Sequence, residues 1–255
     1  MPTGMADRLF KIFGICLTFL FLWLIPPCRA EMPKGFVDVK DAIPSIVLDI
    51  RYYSSHNFVG TPIDGYSAPK CLLTRKAALA LKRVQAELLR FSLSLKIYDG
   101  YRPQRAVNHF IRWAKDANDI KMKKEFYSTI RKSELFRKGY IAKKSAHSRG
   151  SAVDLTIVPL PLPPQEPYAK GMCECHKPAE KRFKDNSIDM GTGFDCFHPL
   201  SWTASDRVGP IQRQNRLMLK AVMEKYGFRN YRKEWWHYTF KNEPFPKTYF
   251  NFTIK

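Results

Sequence analysis

Inside the segment Val37 to Tyr53 the apolar residues Ile46, Leu48 and Ile50 alternate with other positions, and this period of two predicts short strand segments, broken at Pro44. Asn57 to Pro69, rich in Gly, Pro and Asp, reads as a loop. Behind Thr74, a candidate N-cap, Ala77, Leu81, Val84, Leu88 and Phe91 recur at spacings of four, three, four and three. That spacing predicts an amphipathic helix with its stripe in the core. Leu93, Leu95 and Ile97 then alternate as a strand that delivers the turn Asp99-Gly100 and, behind it, Tyr101-Arg102-Pro103.

A second helix is predicted from Gln104 to Lys115 with Val107, Phe110, Ile111 and Ala114 inward, followed by a polar helical stretch near Lys121 to Lys132. Val153, Leu155 and Ile157 alternate against Ala152, Asp154 and Thr156, which puts Asp154 on the more polar face of a strand. Pro159 to Lys184 is proline-rich and charged, hence a long loop of the kind that forms lids or binding elements. Gln212 to Tyr226 reads as a helix through Leu217, Leu219, Val222 and Met223, ended by Gly227. Arg232 to Phe240 carries Glu234-Trp235-Trp236-His237 before a proline-punctuated tail. Strands interspersed with helices, without regular βαβ alternation, predict one α+β domain over residues 31–255.

Residues 1–30 differ from the rest. Arg8 and Lys11 precede an uncharged run from Ile12 to Ile25, then Pro26-Pro27 and the small-residue end Cys28-Arg29-Ala30. This is the layout of a secretory signal peptide cut after Ala30, and the apolar run is shorter than the roughly 20 residues of a spanning helix. Export to the periplasm or the medium is therefore expected, with no stable membrane insertion once the signal is removed. The formal net charge of +20 is not explained by the leader, which contributes only Arg8, Lys11 and Arg29 against Asp7. Excess positive charge draws a protein toward anionic surfaces. The basic residues are scattered and no nucleic-acid-binding motif accompanies them, so nucleic acid is not an expected partner.

Four cysteines remain beyond the leader: Cys71, Cys173, Cys175 and Cys196. A bridge from Cys173 to Cys175 would close a very tight ring, so disulfides tying each of them to Cys71 or Cys196 are favoured. The rival is a metal clip in Cys173-Glu174-Cys175-His176, whose one-residue spacing departs from the usual two to four.

His56, His109, His176 and His198 lack a second ligand at a convincing spacing and read as structural or surface residues. His147 and Asp154 differ, because Gly150 allows a tight turn between them and the strand behind fixes the carboxylate. Together they can face one cation, and His237 can supply the third protein ligand that a catalytic zinc site takes. Glu234, three residues before His237, can accept a proton from an attacking water and pass it on. On a regular strand that odd offset would send the two side chains to opposite faces, so a bend, bulge or strand end must lie between them. Arg102 is the candidate to stabilise an oxyanion, with a salt bridge to Asp99 as its structural alternative.

Ser145-x-His147-x-x-Gly150-x-Ala152-x-Asp154 together with Glu234-x-Trp236-His237 resembles the zinc D-Ala-D-Ala peptidases, peptidase family M15, likened in fold to the hedgehog signalling domain. Asp99-Gly100-Tyr101-Arg102-Pro103, Ser148-Arg149-Gly150-Ser151, Met190-Gly191-x-x-Phe194-Asp195 and Glu234-Trp235-Trp236-His237-Tyr238 are similar to the D-alanyl-D-alanine dipeptidases of the VanX type. The resemblance implies a single domain with a central antiparallel sheet flanked by helices. It also implies one zinc ion per subunit at His147, Asp154 and His237, a general base and acid at Glu234, and transition-state support from Arg102. Asp195 is implied to grip the free amino terminus of a small dipeptide substrate, with Ser145 near its carboxylate.

Two features depart from that pattern: the length and cysteine content of Pro161 to Asp189, and the leader. The expected activity is hydrolysis of D-alanyl-D-alanine in cell-wall dipeptide turnover or salvage. The alternatives are an exported D,D-carboxypeptidase or endopeptidase acting on peptidoglycan stem peptides, and a binding module that keeps the fold without catalysis.

Overall fold

The structure is a computed structural model that describes residues 32–169 and 173–255. The predicted signal peptide lies outside the described residues. The elements are β1 (Phe36–Asp38), α1 (Val39–Ala42), β2 (Val47–Leu48), β3 (Leu72–Thr74), α2 (Arg75–Leu89), β4 (Leu93–Asp99), α3 (Gln104–Lys115), α4 (Lys123–Phe126), α5 (Leu135–Lys138), β5 (Ala152–Pro159), α6 (Pro210–Lys225), β6 (Phe228–Tyr231) and β7 (Glu234–Phe240). The main sheet has the order β2-β4-β5-β7-β6, antiparallel throughout except for the short edge strand β2, which runs parallel to β4. A two-stranded antiparallel ribbon, β1 with β3, stands beside it.

This is the α+β arrangement that the alternating patterns predicted. Leu95, Ile97, Val153, Leu155 and Ile157 are fully buried, and they share one core with Ala77, Leu81 and Val84 of α2, which packs on β4 and on α6. Burying such side chains contributes about 1.5–3 kcal/mol each for the larger ones, which fixes the sheet against its helices.

Both ends of the predicted helical stripes need correction. Phe91 is 68% exposed because α2 ends at Leu89, and Ser92 takes a positive φ that turns the chain into β4 before Phe91 can reach the core. Leu217 of α6 is 63% exposed, and its neighbour Arg216 is buried instead. Arg216 donates to the carbonyls of Met190 and Trp202, so a cation replaces the expected apolar contact by satisfying buried loop backbone. Within the stretch Lys121 to Lys132 only α4 is α-helical; turns follow it, and Lys132 opens a short 3-10 helix (Lys132–Glu134). Thr74 does stand at the head of α2, but its hydroxyl bonds Ser151 rather than the helix.

Gly150 is required where it sits. Its φ of +77° closes the turn after His147, with its N–H on the His147 carbonyl, and a side chain there would collide with the Phe36 ring.

Candidate metal centre and active site

Register places the chemistry. A bulge after Ile97 brings Asp99 opposite Asp154, and on the other side Asp154 pairs with His237. Asp99, Asp154 and His237 therefore form one row across β4, β5 and β7, and cross-strand neighbours on one face are close enough to share a ligand. His147 reaches the same point from a short 3-10 turn (Ala146–Arg149) that Ser145 caps by accepting from the His147 N–H.

The three donor atoms form a compact triangle. His147 Nε2 lies 3.0 Å from His237 Nδ1 and 3.2 Å from Asp154 Oδ1, and His237 Nδ1 lies 3.0 Å from Asp154 Oδ1. Ligands about 2.0–2.2 Å from a tetrahedral ion stand apart by little more than this, so the triangle fits such an ion with a fourth position open. Each imidazole is oriented from behind. His147 Nδ1 donates to the Gly100 carbonyl at 2.7 Å, and His237 Nε2 lies 3.2 Å from Thr239 Oγ1. Fixing the far nitrogen leaves the near one free to ligate. Burial works against ionised Asp154, but the two histidines beside it hold its carboxyl well below the usual range.

Glu234 opens β7 with its Oε2 3.9 Å from His237 Nδ1. The predicted irregularity is present: pairing with β6 shifts between Asn230 and Tyr231, and the Asn230 amide donates to the carbonyls of both Glu234 and His237. Burial, and then the negative charges of Asp154 and Asp195, push the Glu234 carboxyl up. A carboxyl raised in this way is suited to carry a proton between two sites.

Arg102 lies on the other side of the triangle. Its Nε donates to Asp99 Oδ2 at 2.9 Å, and its Nη2 lies 3.3 Å from Asp154 Oδ2. The salt bridge with Asp99 thus forms, and the Arg102 side chain also lines the cavity. Asp99 itself is fully buried and accepts a further bond from the Tyr66 hydroxyl at 2.6 Å. The guanidinium also stacks over the Tyr52 ring, 4.9 Å from its centre.

Asp195 is 5% exposed and takes a φ of +54°. The Tyr52 hydroxyl donates to its Oδ2 at 2.8 Å. Its neighbour Phe194 stacks on Tyr98, and the next residue, Cys196, is bonded to Cys175. Burial, then the charge of Asp154, pushes the Asp195 carboxyl up to about 8.

One cavity of about 270 Å³ is lined by Ser145, His147, Asp154, Asp195, Glu234, His237 and Arg102. Asp99 stands behind it. Sequence reasoning missed Tyr52, Thr239 and Asn230. Thr239 was legible, because residues two apart on a strand share a face with His237. Nothing in the local sequence ties Tyr52 to Asp195, 143 residues away.

None of the described residues of the long segment lines this cavity. Its described residues line a separate space of about 430 Å³ with Tyr98, Phe194 and Trp235. Asp185 anchors it, clasped by Arg51, Lys96 and the Tyr98 hydroxyl. Only one of the expected disulfides forms, Cys175 to Cys196; Cys173 is exposed and free, while Cys71 is buried under Gly100 and free.

The sequence matches known proteins over most of its length. The Peptidase M15 family model, described as D-ala-D-ala dipeptidase, matches residues 32–160 and 166–255. A D-alanyl-D-alanine dipeptidase of Enterococcus faecalis is 35% identical over 223 residues, covering 88% of this chain and all of that protein. One from Streptomyces coelicolor is 36% identical over 223 residues with the same coverage, and one from Escherichia coli is 28% identical over 202 residues, 79% of this chain and 82% of its own length.

Proposed function

The chain belongs to the M15 metallopeptidases described as D-ala-D-ala dipeptidases, and from that premise we propose that it hydrolyses D-alanyl-D-alanine to two D-alanines with one zinc ion per subunit. His147, Asp154 and His237 would hold the ion, and their 3.0–3.2 Å triangle, two nitrogens and one carboxylate oxygen, fits zinc chemistry. When bound, zinc supplies a Lewis acid that polarises the scissile carbonyl and activates water. Glu234 accepts the proton of the attacking water and delivers it to the leaving amine. Arg102, held by Asp99, steadies the oxyanion, and Ser145 lies toward the substrate carboxylate.

The observation that carries the dipeptide reading is Asp195. Asp195 is buried, faces the same cavity as Glu234, is pushed up to about 8, and makes no direct ion pair among the described residues, so a substrate ammonium would supply a close counter-charge. Such an anchor favours free dipeptides over stem peptides, whose corresponding amine is acylated.

Incubating the zinc-loaded protein with D-Ala-D-Ala and with its N-acetyl derivative tests this. Release of D-alanine from the free dipeptide, at a kcat/KM at least about a hundredfold above that for the blocked one, is expected. Equal cleavage of both would favour the carboxypeptidase or endopeptidase instead, and no cleavage of either would overturn the reading. The leader pattern of residues 1–30 and the Cys175–Cys196 bridge support work outside the cytoplasm, on dipeptide released from the wall.

A further inference from the structure

A second cluster of metal-ligating side chains lies outside the catalytic cavity. Cys175, His176 and Cys196 present ligand atoms that all fall within 4.8 Å of one another. The His198 ring stacks on that of His176, centroids 4.4 Å apart and 8° from parallel, and so fixes its plane. His198 is held in turn, its Nδ1 accepting from the Leu200 N–H at 3.1 Å.

The backbone carrying these groups is fixed independently of the sulfur bridge. Cys175 N–H donates to the Glu125 carbonyl at 2.8 Å and Phe197 N–H to the Phe126 carbonyl at 2.9 Å, so both segments hang on consecutive carbonyls of α4. Gly193 N–H donates to the Cys175 carbonyl, and the Ser201 hydroxyl to that of Cys196. Opening the bridge therefore leaves the two sulfurs facing each other with an imidazole beside them.

We propose that reduction of the Cys175–Cys196 disulfide converts this corner into a second metal site, in which the two thiolates and His176 bind a soft divalent ion of the zinc type. A dithiol reductant transfers two electrons to the bridge and becomes a disulfide, yielding two cysteine thiols. Binding of the ion then displaces two protons, one from each thiol, and neutral His176 donates a lone pair. Thiolates with imidazole are a tetrahedral zinc donor set, with the fourth position left to solvent. Because Cys196 follows Asp195 directly, the ion would take over from the disulfide in pinning the turn that carries that carboxylate.

Cobalt reads thiolate ligation directly, and the His/Asp/His triangle contains no sulfur to confuse it. The full-length protein is treated with a phosphine reductant and titrated with Co²⁺. Near-ultraviolet thiolate-to-cobalt absorption is expected in the reduced protein and not in the oxidised one, and it should be bleached by Zn²⁺. His176→Ala should raise the half-saturating Co²⁺ concentration at least about tenfold, and Cys173→Ser should leave the band in place. Absence of the band after reduction, its loss in Cys173→Ser, or unchanged affinity in His176→Ala would each overturn the proposal. Because His176→Ala keeps the disulfide, its oxidised form reports folding through unchanged dipeptide hydrolysis, even where Cys175→Ser with Cys196→Ser does not fold.

Discussion

The Tyr52 hydroxyl donates to Asp195 Oδ2 at 2.8 Å while the face of the same ring lies under the Arg102 guanidinium. One aromatic side chain thus spaces the proposed amine anchor from the proposed oxyanion donor, and so sets the length of substrate that bridges them. Asp195→Asn is expected to lower kcat/KM for free D-Ala-D-Ala by about 1.5–3 kcal/mol, roughly ten- to a hundredfold, as a charged hydrogen bond is lost. Tyr52→Phe should produce a smaller loss, expressed mainly in KM. Steady-state kinetics check both, and an Asp195→Asn protein with wild-type KM would show that the ammonium binds elsewhere.

Asp195 also links pH to stability in the metal-free protein. Its carboxyl is pushed up to about 8, against about 3.9 for an ordinary aspartate. Between those values the folded chain keeps a proton that the unfolded chain has released. This contribution is therefore fully present below about pH 4 and is lost as pH rises through about 8. Melting temperatures of wild type and Asp195→Asn, measured without metal from pH 4 to 8.5, should show the wild type losing ground to the variant as pH rises. A pH-independent difference would place the carboxylate in a less buried setting.

Much of this arrangement was legible because it follows short-range periodicity. The alternation at Leu93, Leu95 and Ile97 gave β4, and the stripe Ala77, Leu81, Val84, Leu88 gave α2, since each pattern is satisfied by a core on one side. Arg216 was not legible, because its burial depends on carbonyls offered by a loop distant in sequence. The same holds for Tyr52 and for the pairing of Cys175 with Cys196, which tertiary contacts select among several possibilities that the sequence leaves equivalent.

Thr239 stands two residues beyond His237 on β7, its hydroxyl 3.2 Å from His237 Nε2. Thr239→Val keeps the shape and removes the oxygen. Metal affinity is expected to fall about 10- to 100-fold, with activity recovered at high zinc concentration. Zinc titration of apoprotein, read by activity, measures this. Loss of activity that excess zinc does not restore would mean that the hydroxyl acts on something other than ligand orientation.

Asn230 resolves the odd offset between Glu234 and His237. Its amide nitrogen donates to both carbonyls at 3.0 Å, stapling the segment in which β7 outruns β6, so both side chains face the cavity. Removing the staple frees that segment to relax toward regular pairing, which would rotate Glu234 away. At saturating zinc, Glu234→Gln is expected to lower kcat about 10²- to 10⁴-fold with the metal retained. Asn230→Ala should lower it by a smaller factor, on the order of tenfold, through misplacement of the same carboxylate. A double-mutant cycle separates this from general destabilisation: if Asn230 acts through Glu234, its substitution changes kcat little in the Glu234→Gln background, because residues acting as one unit are not additive. A full additional tenfold loss in the double variant would instead assign Asn230 to His237, whose carbonyl it also holds.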